Sequence, residues 1–87
     1  MKPVLGQRVI TLNPMRDEGE EGCHEIIGTV IFTEEGNSCL VEFDECMEGH
    51  SGRGKGKNGH CWWFSTWEFE NDWLRPYEEN IYKIDLL

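Results

Sequence analysis

What this 87-residue chain lacks bounds it first. It has only 8 basic residues against 17 acidic ones, a formal charge of −9 at neutral pH, so it repels nucleic acid as a whole and suits a basic partner surface. The plain reading of the same excess is that it keeps a small protein soluble. No apolar run approaches the roughly 18 to 20 residues needed to span a bilayer. Met1 to Gly6 leads into structure-like sequence without the apolar core of a signal peptide. The expectation is a soluble, cytoplasmic protein with no membrane partner. A chain of this size buries only about 60% of the surface its unfolded form exposes, which allows one small core. Multi-domain enzymes and doubly wound nucleotide folds are excluded by length, and residues 1–87 are expected to form a single domain.

Catalytic and cofactor signatures are also missing. Ser51 and Ser65 lack a nucleophile-elbow context, and Glu20 and Glu21 sit in a polar stretch instead of a pocket. Cys61 follows His60, but neighbours on a strand point to opposite faces and do not form a dyad. No enzyme activity and no cofactor are expected. Four cysteines, Cys23, Cys39, Cys46 and Cys61, are spaced 16, 7 and 15 residues apart, without the C-x2-4-C knuckle that aims two thiolates at one zinc ion. Cys23, His24, His50, His60 and Cys61 are the candidate ligands if a metal binds. Reduced cysteines acting as small buried hydrophobes are the favoured alternative, and disulfides are not expected in the cytosol.

What is present has the pattern of short strands. Gly6 to Leu12 is β-branched and closed by Asn13-Pro14; residues 13–24 are polar and carry Asp17, Glu18, Glu20 and Glu21, an exposed acidic loop. Glu25 to Phe32 has strand composition around Gly28, which marks a bulge, a bend or a close backbone approach. Residues 33–37 supply turn chemistry, and Ser38 to Asp44 returns with Cys39, Val41 and Phe43 in alternation, the trio expected to face the core. Gly49 to Gly59 holds five glycines in eleven positions and the cations Arg53, Lys55 and Lys57. It is read as a solvated loop without a packed element. His60 to Ser65 is an aromatic strand with Trp62 and Phe64 facing one way and Trp63 the other. Thr66 to Asn71 is a turn or short helical turn, and Asp72 to Arg75 a last strand stopped by Pro76. In the tail, Ile81, Ile84 and Leu87 recur every three residues, which fits a short helix, with a strand as the alternative. Five short strands separated by turn signals describe an all-β protein, a small barrel.

The order Gly-Gln-Arg-Val, Ile-Gly-Thr-Val (27–30), Leu-Val-Glu-Phe-Asp (40–44), Gly49-His50, then Gly59-His60-Cys61-Trp62-Trp63-Phe64 and Trp-Leu-Arg-Pro resembles the SH3-like β-barrels of short phage and bacterial proteins. More distantly it is similar to the Mind-bomb type of SH3-like repeat. The likeness covers residues 5–76 and leaves 77–87 as a tail packing on or beside the barrel. It implies a five-stranded SH3-like barrel that binds and does not catalyse; the loop at 16–25 is longer than the pattern expects.

Residues Trp62, Trp63, Phe64, Trp67, Phe69 and Trp73 are more large aromatics than one small core holds, and exposed aromatics anchor interfaces. The plain alternative is that the tail folds back over them. The leading expectation is a phage-type accessory protein that binds a host or cellular protein and modulates or inhibits it. Its contact uses Trp62, Trp63, Trp67 and Phe69 with Asp17, Glu18, Glu20 and Glu21, and a basic nucleic-acid-binding surface is the fitting partner. The second reading is a nucleic-acid module using Arg53, Lys55 and Lys57 beside aromatics on which bases stack. The loop that carries them lacks the Gly-Lys-Ser/Thr sequence of a P-loop and opens a strand where a P-loop opens a helix.

Overall fold

A computed structural model describes residues 3–34 and 38–77. Five strands, β1 (Arg8–Leu12), β2 (Glu25–Glu34), β3 (Ser38–Phe43), β4 (Cys61–Ser65) and β5 (Arg75–Pro76), form one open antiparallel sheet in the order β4-β3-β2-β1-β5. The only helix among the described residues is α1 (Thr66–Glu70), between β4 and β5. The chain is mainly β, as its composition predicts. The last strand starts three residues later than expected and runs through Pro76, which pairs with Val9. β5 is an edge strand, so the N–H that proline lacks is not needed by a further neighbour. The tail after Tyr77 lies outside the described residues.

Strand alternation sorts the side chains onto two faces. Cys39, Val41 and Phe43 are all buried, joined by Val9, Ile26, Val30, Met47, Phe64, Phe69 and Leu74 in one core, with Met15 and Trp62 packed against it. Register places Val41 opposite Trp62 and Cys39 opposite Phe64, so one side of β4 faces this core. Gly28 is a close approach: a Cβ there would lie 2.7 Å from the Glu42 carbonyl oxygen and 2.8 Å from Val41 Cγ1. The irregularity in β2 falls later, between Val30 and Phe32, and the extra residue turns Phe32 to the face opposite Val30.

That second face carries the main departure from expectation. Phe32 and Trp63 flank Leu40 in the register, and Leu40 and Cys61 are fully buried although they point away from the core. The cover is the glycine-rich loop. Its two limbs are joined by reciprocal hydrogen bonds between His50 and Cys61, and its tip closes on itself through Lys55 N–H to the Gly52 carbonyl and Gly56 N–H to the Ser51 carbonyl. A Cβ at Gly56 would come within 2.6 Å of Cys61 Sγ and 2.7 Å of Ile31 Cδ1. The expectation of a loop without packing is therefore corrected: glycine here removes side-chain bulk so that backbone can lie directly on Leu40, Cys61 and Ile31. The acidic loop between β1 and β2 is exposed as expected, closed by Asn13 N–H to the His24 carbonyl and tied outward by Arg16 to Glu48 at 2.5 Å.

Candidate functional site

The aromatic set divides three ways. Trp62 is half-buried on the core side with the His50 ring tilted against it, 5.5 Å between centroids. Trp63 is half-buried on the second face, edge-on to Phe32 at 5.9 Å and beneath the Arg53 guanidinium, 5.6 Å from its ring centre. Phe69 is 4% exposed and belongs to the core. As a surface contact residue it is a correction: in α1 it lies two positions from Trp67, and the inward side of that short helix belongs to it.

Two indoles remain open. Trp67 is 59% exposed and Trp73 64%, far above what a packed tryptophan shows. Both are held by well-bonded backbone. Ser65 caps α1: its Oγ accepts from the Glu68 N–H at 3.3 Å while the Glu68 carboxylate accepts from the Ser65 N–H at 3.1 Å, a reciprocal capping box. The Trp67 carbonyl accepts from the Asn71 backbone and side chain, and Trp73 N–H donates to the Glu68 carbonyl. Asp72 adopts a positive φ of 64° and reverses the chain before Trp73, a conformation more accessible to Asp than to bulkier residues. The Trp73 carbonyl then accepts from Thr11 Oγ1 at 2.8 Å. Trp73 is thus pinned at the end of β1, where exposed Leu12 leads into the acidic loop. Trp73 was visible in the sequence as one aromatic among several; its place in a turn and not in a strand is what opens it to solvent.

The charged residues around this surface are mostly acidic. Glu68, Glu70 and Asp72 lie between the two tryptophans, and α1 has no basic residue in its last turn. Asp17, Glu18, Glu20 and Glu21 are all exposed in the neighbouring loop, with Glu20 accepting from the Asp17 N–H at 2.7 Å. At the root of that loop Arg75 pairs with Glu25.

The metal candidates are dispersed by their own hydrogen bonds. His24 Nε2 lies 3.1 Å from Glu45 Oε2, His50 Nδ1 accepts from the Gly52 N–H at 2.8 Å, and His60 Nδ1 contacts the Phe43 carbonyl at 2.8 Å. Among the described residues no group of three or more His, Cys, Asp or Glu is placed to hold a metal ion. Burial, with a contribution from Glu42, pushes the Cys61 thiol above its ordinary range, and burial, with Glu68, pushes Cys39 to about 11. Both therefore stay protonated near neutrality, the wrong state for a nucleophile or a metal ligand. Of the basic loop, Arg53 and Lys55 sit over Trp63 and Phe32, the latter with Nζ 4.5 Å from the ring centre, and Lys57 is exposed at the far limb. Among the described residues no helix is long and apolar enough to cross a membrane.

Comparison with family models, with curated proteins and with solved structures returns no match.

Proposed function

We propose that the chain is a non-enzymatic binding module of SH3-like barrel type that binds a partner protein and modulates it, through Trp67 and Trp73 set in an acidic surround. Five short antiparallel strands with a single helical turn between β4 and β5 support the fold reading. The observation that carries the functional one is two indoles, each more than half exposed, on a turn fixed by a capping box and by Thr11. Large rigid aromatics anchor interfaces because they desolvate much area at little entropic cost. Glu68, Glu70, Asp72 and the loop carboxylates make a basic protein surface the complementary partner. The likeness to short phage proteins gives this the form of an accessory protein acting on a host protein, such as one with a nucleic-acid-binding groove.

The nucleic-acid reading draws on Arg53, Lys55 and Lys57. It is the weaker of the two because Arg53 and Lys55 already lie on the ring faces that bases would have to stack upon. Affinity capture from a bacterial lysate with and without nuclease, using wild type, Trp67→Ala with Trp73→Ala, and the triple alanine change at 53, 55 and 57, separates them. One stoichiometric, nuclease-resistant protein lost in the tryptophan variant is the expected result. Nuclease-sensitive capture lost in the triple variant would replace it.

A further inference from the structure

On the second face of the sheet, where the returning limb of the glycine-rich loop meets β2 and β3, lies a depression of about 390 Å³ lined by Thr29, Glu42, Phe43, Asp44, Lys57 and His60. The tryptophan surface makes no use of it. His60 is only 9% exposed, and its Nδ1 stands 2.8 Å from the Phe43 carbonyl oxygen. A carbonyl can only accept, so Nδ1 carries a proton, and the tautomer this contact selects has its lone pair on Nε2. No partner in the described protein meets Nε2. No buried side-chain nitrogen or oxygen among the described residues is left unpaired, so Nε2 reaches accessible space, and the space His60 lines is this depression.

The carboxylates there differ in what they have left to offer. Asp44 is engaged by the Arg8 guanidinium through two hydrogen bonds, at 2.8 and 2.5 Å, which hold its carboxyl below the usual range. Arg8 also donates to Thr29 Oγ1 at 2.9 Å. Glu42, half-buried and directly opposite Thr29 and Cys61 in the register, makes no hydrogen bond or ion pair among the described residues. The unspent groups are therefore two acceptors, one a carboxylate and one the open nitrogen of a mostly buried imidazole, with exposed Lys57 at the rim.

We propose that this depression is a binding site for the guanidinium of an arginine side chain presented by a partner polypeptide, with the Glu42 carboxylate and His60 Nε2 as its acceptors. A guanidinium offers donors on several nitrogens in a fixed plane and addresses two acceptors at once, which an ammonium does less well. One end of the same site already holds a guanidinium, that of Arg8, between Asp44 and Thr29. An anion would meet two carboxylates and a lone pair, with Lys57 as its attraction. The chain's charge of −9 draws cations toward the surface.

The test is an NMR titration of the ¹⁵N-labelled full chain with the capped peptide acetyl-Gly-Arg-Gly-amide and with its citrulline counterpart, which keeps the shape and loses the charge. Saturable shifts at Thr29, Glu42 to Asp44 and His60 are expected, with the His60 Nε2 resonance moving on binding and citrulline at least about tenfold weaker. Glu42→Gln weakens the arginine peptide by about tenfold or more, with Glu42→Asp in between. Lys57→Ala tightens it, because a like charge leaves the rim. Trp67→Ala leaves it unchanged, so the outcome here is separate from the fate of the tryptophan surface. No saturation below about 10 mM, equal binding of citrulline, indifference to Glu42→Gln in a spectrum that stays folded, or weakening by Lys57→Ala would each overturn the site.

Discussion

Gly52 lies directly on Leu40: a methyl at position 52 would overlap Leu40 Cδ2 and stand 2.9 Å from Cδ1, while the backbone there holds a φ of +62°. Leu40 is fully buried on the side of the sheet away from the main core, and the loop backbone is what covers it. Glycine is required twice at this position, for space and for the left-handed conformation. Gly52→Ala is expected to destabilise the protein by about 2 to 4 kcal/mol, read as a lowered urea midpoint. Gly54→Ala also meets a positive φ, of 83°, but has nothing within 4 Å, and is expected to cost only about 1 kcal/mol. Equal effects at the two positions would mean that the loop does not pack on the sheet.

The pair also shows where the sequence is readable and where it is not. Alternation at Cys39, Val41 and Phe43 is a local property of a strand, and all three are buried as it predicts. The opposed faces of Trp62 and Trp63 follow from the same period of two. Leu40 is different, because its burial depends on a segment twelve residues away whose composition alone reads as unpacked. Glycines that allow flexibility and glycines that admit a close neighbour have the same letter, and only the neighbour distinguishes them. For Gly28 the close approach is legible and the bulge is not, since the extra residue at Ile31 is fixed by pairing with β3. In the candidate site the exposure of Trp67 and the burial of Phe69 depend on which side of a five-residue helix faces inward, too short a segment for periodicity to decide.

Phe69 and Trp67 provide a direct contrast. Phe69, 4% exposed, sits in the core, whereas Trp67 is 59% exposed. Phe69→Ala is expected to cost about 3 to 5 kcal/mol, and Trp67→Ala to stay within about 0.5 kcal/mol in chemical denaturation while weakening partner capture. A large stability loss from Trp67→Ala would place that indole inside a packed surface and remove it from the interface.

Ser65 links stability to the interface. Its side chain caps α1 and receives the Glu68 N–H, so Ser65→Ala is expected to cost about 1 kcal/mol and to loosen the segment that aims Trp67. Ser65→Asp restores a capping oxygen, and both the melting temperature and partner capture should return toward wild type. Recovery of stability without recovery of capture would show that the orientation of Trp67 is not what the partner reads.

Thiol chemistry tests the second face and the core together. Cys39 is fully buried, and burial, with a smaller contribution from Glu68, raises its thiol from an ordinary 9.0 to about 11. Cys46 is exposed and Cys23 half-buried. In the native protein an alkylating reagent should therefore modify Cys46 first and Cys23 next, with Cys39 and Cys61 reacting only on unfolding. A thiol whose folded pKa lies above its unfolded one favours the folded state while it is protonated. Its contribution is complete below about pH 9 and is lost as pH rises toward 11. Cys61 is shifted in the same direction, by burial and then by Glu42. Urea midpoints measured across that alkaline window should fall more steeply for wild type than for Cys39→Ala, since lysine and tyrosine titration is common to both. Parallel curves would mean that the Cys39 thiol titrates alike in the folded and unfolded chain, against its burial in the core. Native-state alkylation of Cys61 at the rate of Cys46 would mean that the glycine-rich loop opens far more readily than its packing on Leu40 and Ile31 allows.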